Sequence, residues 1–272
     1  MSQFEIRNID GVIGAKVLGT KAELLSGEKA GAIREALEAR GVLVFPTVNF
    51  SDQEQLVFTK TLGTMAKEIT GEEIYKITMD VSQNKQASYI KGAFYWHIDG
   101  TMSDRPILAS MLSAKVLSPV GGDTEFCNTY AAYEALPEDE RAKLDGLRVV
   151  HTVQAAQLYV QPEPSTEEYA AWRKIGRNEL PLVWKHASGR KSLVLGSTSD
   201  YVVGMDPEES RALLVRLRDW CTRPEFVYTH KWTLGDTVMW DNTGTMHRAT
   251  SYPLDSGRMM HRTKLEGEEA CL

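Results

Sequence analysis

Apolar residues recur along this chain in two rhythms. Short apolar or alternating runs stand at V-L-V-F (42–45), I-L-A-S-M-L-S-A-K-V (107–116), L-R-V-V-H-T-V (147–153), S-L-V-L (192–195), E-F-V-Y-T-H-K-W (225–232), T-V-M-W (237–240) and R-M-M-H-R-T-K-L (258–265). Their length and period predict strands. Helical spacing appears elsewhere, bounded by capping signals. S-D-Q-E at Ser51–Glu54 is a capping box, and Gly63 stops the helix it opens. Asp206-Pro207-Glu208-Glu209 opens a second helix through Leu213, Leu214 and Leu217 that ends before Pro224. Residues 27–40, closed by Gly41, and 137–145, closed by Gly146, predict two more. Many short strands with few helices imply a mainly β sandwich or barrel with flanking helices, without the βαβ alternation of a doubly wound sheet.

No repeat, low-complexity tract or linker divides the chain, so 1–272 is expected to form one domain. Two polar segments, 67–92 and 155–181, resist assignment and have the length of lids or substrate loops; the second carries its own capping box, Ser165-x-x-Glu168. A formal charge of −6 argues against nucleic-acid or anionic-membrane partners. Three widely spaced cysteines, Cys127, Cys221 and Cys271, fit reduced thiols in a cytoplasmic protein. The first residues show no signal-peptide pattern, and no apolar run is long enough to span a bilayer.

Candidate chemistry begins at Y-W-H-I-D-G-T-M (95–102). In an extended strand His97 and Asp99 would share a face, which suits a metal site, a buried ion pair or a coincidence. The C-terminal segment changes the weighing. T-V-M-W breaks at Asp241-Asn242-Thr243-Gly244 and delivers His247 beyond the turn, and a later strand carries cations. By period two, Arg258, Met260, Arg262 and Lys264 share one face, and Met259, His261, Thr263 and Leu265 the other. The cationic face either meets solvent or points inward, where a buried guanidinium requires an anion such as a ligand carboxylate. Two histidines and one carboxylate leave open positions that suit non-haem Fe(II), whereas zinc prefers tetrahedral sites.

These motifs resemble the TauD/TfdA family of Fe(II)/2-oxoglutarate-dependent dioxygenases, which includes taurine dioxygenase. The resemblance runs through I-G-A-K-V-L-G (13–19), G-V-L-V-F-P (41–46), W-H-I-D-G-T (96–101), G-G-D-T-E-F (121–126), W-D-N (240–242) and H-R-A-T-S-Y-P (247–253). It implies a double-stranded β-helix, a clavaminate synthase-like jelly roll with buttressing helices. It implies His97, Asp99 and His247 as Fe(II) ligands, with Arg258 and Thr124 holding the distal carboxylate of 2-oxoglutarate. It implies consumption of O2, release of succinate and CO2, and hydroxylation of a C–H bond. Asp99 favours hydroxylation over halogenation, for which related enzymes keep a small residue there.

Arg262 matches the arginine that grips the substrate sulfonate in the taurine branch, so the expected substrate is a small organic acid: a sulfonate, sulfate ester or aryloxy carboxylate. The chain lacks the histidine and asparagine of taurine enzymes near 64–68 and 93–95, which disfavours taurine itself. Phe94, Tyr95 and Tyr159 are the candidate pocket walls. Relatives imply a homo-oligomer, dimer or tetramer. Outside the site, His151 reads as a hydrogen-bonded core group and His186 as a surface or loop-bracing one. His230 and His261 show no convergent partner, Trp240 suggests packing, and Cys127 no chemistry. A non-catalytic jelly-roll binding protein and a zinc hydrolase on a similar barrel are the competing readings.

Overall fold

The computed structural model describes residues 4–68 and 71–272. Its largest sheet has eight strands. Along it lie Glu5–Asn8, Ala15–Leu18, Val42–Phe45, Thr237–Asp241, Ala109–Val116, Met259–Leu265 and Met65–Ala66, with Tyr75–Ile77 also pairing to Met259–Leu265. Opposite stands a three-stranded sheet in the order Val227–His230, Thr124–Asn128, Thr245–Ala249. Two sheets packed face to face with antiparallel pairing form the expected jelly roll. One pairing departs from expectation: Ala15–Leu18 runs parallel to Val42–Phe45 across a connection holding the helices Lys21–Leu25 and Ala30–Arg40. A parallel pair requires such a crossover, and the predicted absence of βαβ character misses this single unit.

Period two explains why the central strands read as nearly continuous apolar runs. Leu43, Phe45, Ala109, Met111, Met239 and Leu265 turn outward to Ile33, Leu37, Phe58 and Leu62 of the helices Ala30–Arg40 and Asp52–Leu62. Val42, Val44, Leu112, Val238, Trp240 and Met260 turn inward to Phe126 of the smaller sheet. Both faces are therefore buried. The helix Asp52–Leu62 begins where predicted, with the capping box of Ser51 and Glu54 formed. The helix Pro207–Cys221 packs Leu214, Leu217 and Cys221 behind the smaller sheet, against Cys127 and Met246. Among the described residues no helix is long and apolar enough to cross a membrane.

The turn that delivers His247 is built by a buried carboxylate. Asp241 Oδ1 accepts from the Thr243 backbone N–H at 2.8 Å and from its hydroxyl at 2.6 Å, and Tyr130 hydrogen-bonds that hydroxyl at 2.8 Å. Burial raises the Asp241 carboxyl to about 6 despite these bonds. The folded state thus holds its proton more tightly than the unfolded chain. Stability is lost as pH rises from the ordinary carboxylate value of 3.8 to about 6 and is level above that. At 1.36 kcal/mol per unit the full loss is ~3 kcal/mol. Asp241→Asn keeps the acceptor without the charge. Its melting temperature should equal the parent's near pH 4 and exceed it by several degrees from pH 6 upward, by calorimetry; a constant difference across that range would refute the assignment.

Candidate active site

His97, Asp99 and His247 converge between the two sheets. One donor atom from each lies within 4.8 Å of the others, a spacing that could hold a metal ion. His97 does not sit in a regular strand. It joins the smaller sheet through a one-residue bridge, its N–H donating to the His247 carbonyl at 3.0 Å and the His247 N–H returning to its carbonyl at 2.9 Å. Asp99 follows in a turn. The two imidazoles are brought side by side by backbone pairing, with ring centroids 4.1 Å apart.

The protonation of each donor follows from its partners. His97 Nδ1 lies 2.8 Å from the Tyr95 carbonyl. A carbonyl only accepts, so Nδ1 carries a proton and Nε2 is the ring nitrogen turned towards Asp99. His97 Nε2 is 3.9 Å from Asp99 Oδ1, and His247 Nε2 is 4.0 Å from Asp99 Oδ2. Burial holds His247 well below the usual imidazole range and therefore neutral. Burial also pushes the Asp99 carboxyl up, but the Arg262 guanidinium and a hydrogen bond from Ser110 outweigh it and keep Asp99 ionised. Two imidazoles and one carboxylate are the donor set a divalent non-haem iron accepts, so the residues fit the ion.

A hydrogen-bond relay fixes the carboxylate. Trp240 Nε1 donates to Asn242 Oδ1 at 2.9 Å, Asn242 Nδ2 to Ser110 Oγ at 3.0 Å, and Ser110 Oγ to Asp99 Oδ2 at 2.9 Å. Trp240 also packs its ring 4.6 Å from that of His247. It serves the site through packing, as expected, and through its N–H as well. Ser110 escaped the sequence reading because nothing local marks it; it faces inward only through the sheet register, opposite Lys264.

Arg258 is 4 % exposed and forms no ion pair among the described residues. Its Nη2 donates to the Gly122 carbonyl at 3.1 Å, its guanidinium lies 4.9 Å from the Tyr252 ring centre, and Nε finds no partner. Gly122 has φ +80°, and a Cβ there would come within 3.0 Å of Arg258 Nε, so glycine keeps the approach to the guanidinium open. Thr124 Oγ1 accepts from Trp232 Nε1 at 2.9 Å, leaving the hydroxyl proton free to donate. A buried guanidinium without a counter-ion, with a free hydroxyl donor on the facing sheet, calls for an anion such as the distal carboxylate of 2-oxoglutarate.

A cavity of about 560 Å³ opens beside His97 and Asp99. Its walls include Tyr75, Ile77, Tyr89, Ile90, Val153 and Ala156, and one end carries Glu68, Arg262 and Lys264. The segment 67–92 and the helix Val153–Val160 supply much of this lining. Arg262 points inward, as the period-two argument requires, but it is not alone. Its Nε and Nη2 donate to the two Glu68 oxygens at 3.2 and 3.1 Å, and Lys264 Nζ donates to Glu68 Oε2 at 2.7 Å.

The three proposed aromatic walls lie elsewhere. The Tyr95 hydroxyl donates to the Tyr159 carbonyl at 2.7 Å, and their rings pair at 5.0 Å in a separate cavity shared with Arg218 and Arg248. Phe94 packs edge-on against Tyr252, beside Arg258. Phe94 and Tyr95 close the 3-10 turn Lys91–Phe94 ahead of His97, and there Tyr95 contributes its carbonyl to the site instead of its ring. Two further readings are corrected. His230 Nε2 meets Asp236 at 3.2 Å and His261 Nδ1 meets Asp52 at 2.7 Å, so each has a carboxylate partner. His151 is a buried core group bonded to Thr198, and burial lowers it to about 4. His186 is buried, and braces its loop to Ser192 and Glu269. Cys127, Cys221 and Cys271 are free thiols, although Cys127 Sγ reaches the Cys221 carbonyl at 2.8 Å.

A jelly roll that holds a His-Asp-His group between its sheets, with a buried arginine awaiting a carboxylate, defines the class of Fe(II)/2-oxoglutarate-dependent dioxygenases. The family model for the taurine catabolism dioxygenase TauD, TfdA family, matches residues 5–264, and the chain belongs to that family. It is 34 % identical over 259 residues to the alpha-ketoglutarate-dependent 2,4-dichlorophenoxyacetate dioxygenase of Cupriavidus pinatubonensis, covering 88 % of this chain and 89 % of that one. It is 30 % identical to an alpha-ketoglutarate-dependent sulfate ester dioxygenase of Pseudomonas putida, over 98 % of this chain and 90 % of the relative. A crystal structure of AAD-2 in complex with Mn(II) and N-oxalylglycine superposes with a TM-score of 0.86 at 31 % identity, over all of both chains. The chain is thus an Fe(II)/2-oxoglutarate-dependent dioxygenase, not a binding shell without turnover.

Proposed function

We propose that this enzyme hydroxylates a small organic monoanion with an apolar body: an aryloxy carboxylate, a sulfate ester or a sulfonate. In this reading His97, Asp99 and His247 hold Fe(II), Arg258 and Thr124 hold the distal carboxylate of 2-oxoglutarate, and Arg262 draws in the substrate anion. The segments 67–92 and 155–181 serve as substrate loops of one domain. The observation that carries the reading is the juxtaposition of the His-Asp-His group with a cavity that is apolar along its walls and cationic at one end.

Fe(II), once bound with its cosubstrate and dioxygen, supplies the oxidising power that converts 2-oxoglutarate to succinate and CO2 and inserts oxygen into a C–H bond. The chain supplies position. The Tyr95 carbonyl holds the His97 proton, Ser110 fixes Asp99, and Trp240 covers His247. Arg262 and Lys264 orient the anion so that the carbon beside it faces the metal side, and the apolar walls exclude water. Where that carbon carries an ether or ester oxygen, the hydroxyl proton passes to that oxygen and the C–O bond breaks, so the net reaction is cleavage.

The test is succinate formation across aryloxy carboxylates, alkyl sulfates and sulfonates. Arg262→Ala should raise the substrate KM ~30-fold or more, with the KM for 2-oxoglutarate within about two-fold of the parent, since separate cations serve the two anions. Silence across the whole panel would sink the substrate class. Loss of 2-oxoglutarate binding in the variant would instead move Arg262 to the cosubstrate.

A further inference from the structure

Among the described residues two acidic side chains meet Arg262 at the cationic end of the large cavity, Asp99 of the His-Asp-His group and Glu68, for which the sequence gives no motif. Glu68 is 9 % exposed and fully engaged: Oε1 accepts from Arg262 Nε, and Oε2 from Arg262 Nη2 and Lys264 Nζ. Arg262 is thereby gripped along one edge. Its Nη1 lies 3.6 Å from Asp99 Oδ2, and its guanidinium carbon 5.2 Å from the Tyr75 ring centre. The cavity end therefore holds two positive charges and one negative. In the proposed reading the charge of Asp99 would be taken up by the Fe(II) that it helps to hold.

We infer that Glu68 is a specificity-determining residue, the internal counter-charge that leaves Arg262 and Lys264 with one net positive charge, so that the cavity selects a singly charged anion over a doubly charged or neutral one. The inference rests on the placement of the substrate anion beside Arg262 proposed above. Its physical basis is that attraction to a fixed charge grows in proportion to the ligand's own charge, whereas the cost of taking the ligand out of water grows with the square of it, so one net positive charge offsets that cost for a monoanion and not for a dianion. Glu68 weakens the binding of every anion, and that of a dianion twice as much in free energy. If neutralising Glu68 raises monoanion affinity by some factor, dianion affinity rises by the square of it. The clamp along Nε and Nη2 also leaves only the far edge of the guanidinium and the Lys264 ammonium for the incoming head.

The experiment titrates four phenyl ligands of similar size into the anaerobic Fe(II)–2-oxoglutarate holoenzyme, following the visible absorbance of that complex. Phenoxyacetate and phenyl sulfate carry one charge, and phenoxyethanol none. Phenyl phosphate carries two at pH 8, because its second ionisation falls near pH 6. The parent enzyme should bind both monoanions about ten-fold or more tighter than phenyl phosphate or phenoxyethanol. Glu68→Gln should shift the phosphate-to-carboxylate affinity ratio about ten-fold towards phosphate, with 2-oxoglutarate affinity unchanged. Lys264→Met brings the net charge to zero with Glu68 in place, and should weaken phenoxyacetate about ten-fold; it tests the same balance if Glu68→Gln does not fold. An unmoved ratio in Glu68→Gln, or unchanged phenoxyacetate affinity in Lys264→Met, overturns the role of Glu68 while Arg262→Ala still loses the ligand. If Arg262→Ala binds phenoxyacetate as the parent does, the anion's placement fails first.

Discussion

Asp99→Ala is expected to abolish the visible band that Fe(II) and 2-oxoglutarate form together without oxygen, and with it all succinate production. The effect should exceed the 10–100-fold loss typical of residues that merely support a ligand, because two changes coincide. The deletion removes the only anionic donor among the three. It also uncovers Arg262, whose Nη1 stands 3.6 Å from Asp99 Oδ2. A site of two imidazoles beside a guanidinium that has lost one of its two carboxylates disfavours a dication, whereas the parent site attracts one. The backbone bridge between His97 and His247 does not involve the Asp99 side chain, so the fold should persist by circular dichroism. A band of parental intensity in the folded variant would remove Asp99 from the metal.

The second large effect belongs to Arg258. Arg258→Ala should raise the KM for 2-oxoglutarate ~100-fold, within the 2–5 kcal/mol that losing one partner of a buried charge pair costs. Among the described residues Arg258 has no carboxylate partner, so under the proposed role the cosubstrate is what supplies one. Arg258→Lys should recover only part of the loss, because an ammonium keeps the charge but not the planar fork. Initial rates of succinate release against 2-oxoglutarate concentration decide the matter. Arg258 and Arg262 are four residues apart on one strand direction, about 13 Å at 3.3 Å per residue. The two arginines should therefore fail separately, each for its own anion. A rise in substrate KM alone in Arg258→Ala would reverse their assignments.

Much of this was legible in the sequence, for a physical reason in each case. The strands Val42–Phe45, Thr237–Asp241 and Met259–Leu265 appear within a residue of their predicted ends because both their faces are buried and their termini are punctuated by turns. The helix Asp52–Leu62 appears because its capping box is local. His97, Asp99 and His247, which the resemblance to TauD/TfdA motifs had marked, come together as one group, and Arg258, marked in the same way, is buried without a carboxylate partner among the described residues. What stayed hidden depends on register or on loops. Ser110 reaches Asp99 because the strand Ala109–Val116 pairs Ser110 with Lys264, a fact no local pattern encodes. Glu68 reaches Arg262 from a segment without periodicity, 194 positions earlier in the chain. Tyr95 and Phe94 were chosen by proximity to His97 in sequence, and the turn at that point sends their rings elsewhere.

The reciprocal bridge between His97 and His247 joins positions 150 apart (247 − 97 = 150) by two backbone hydrogen bonds. An ion seated there acts as a removable staple across more than half of the polypeptide, engaging only molecules whose jelly roll has already closed. With the ligands as proposed, iron binding would draw down the unfolded population by mass action, and losing the metal would remove one tie at the edge where His97 joins the smaller sheet.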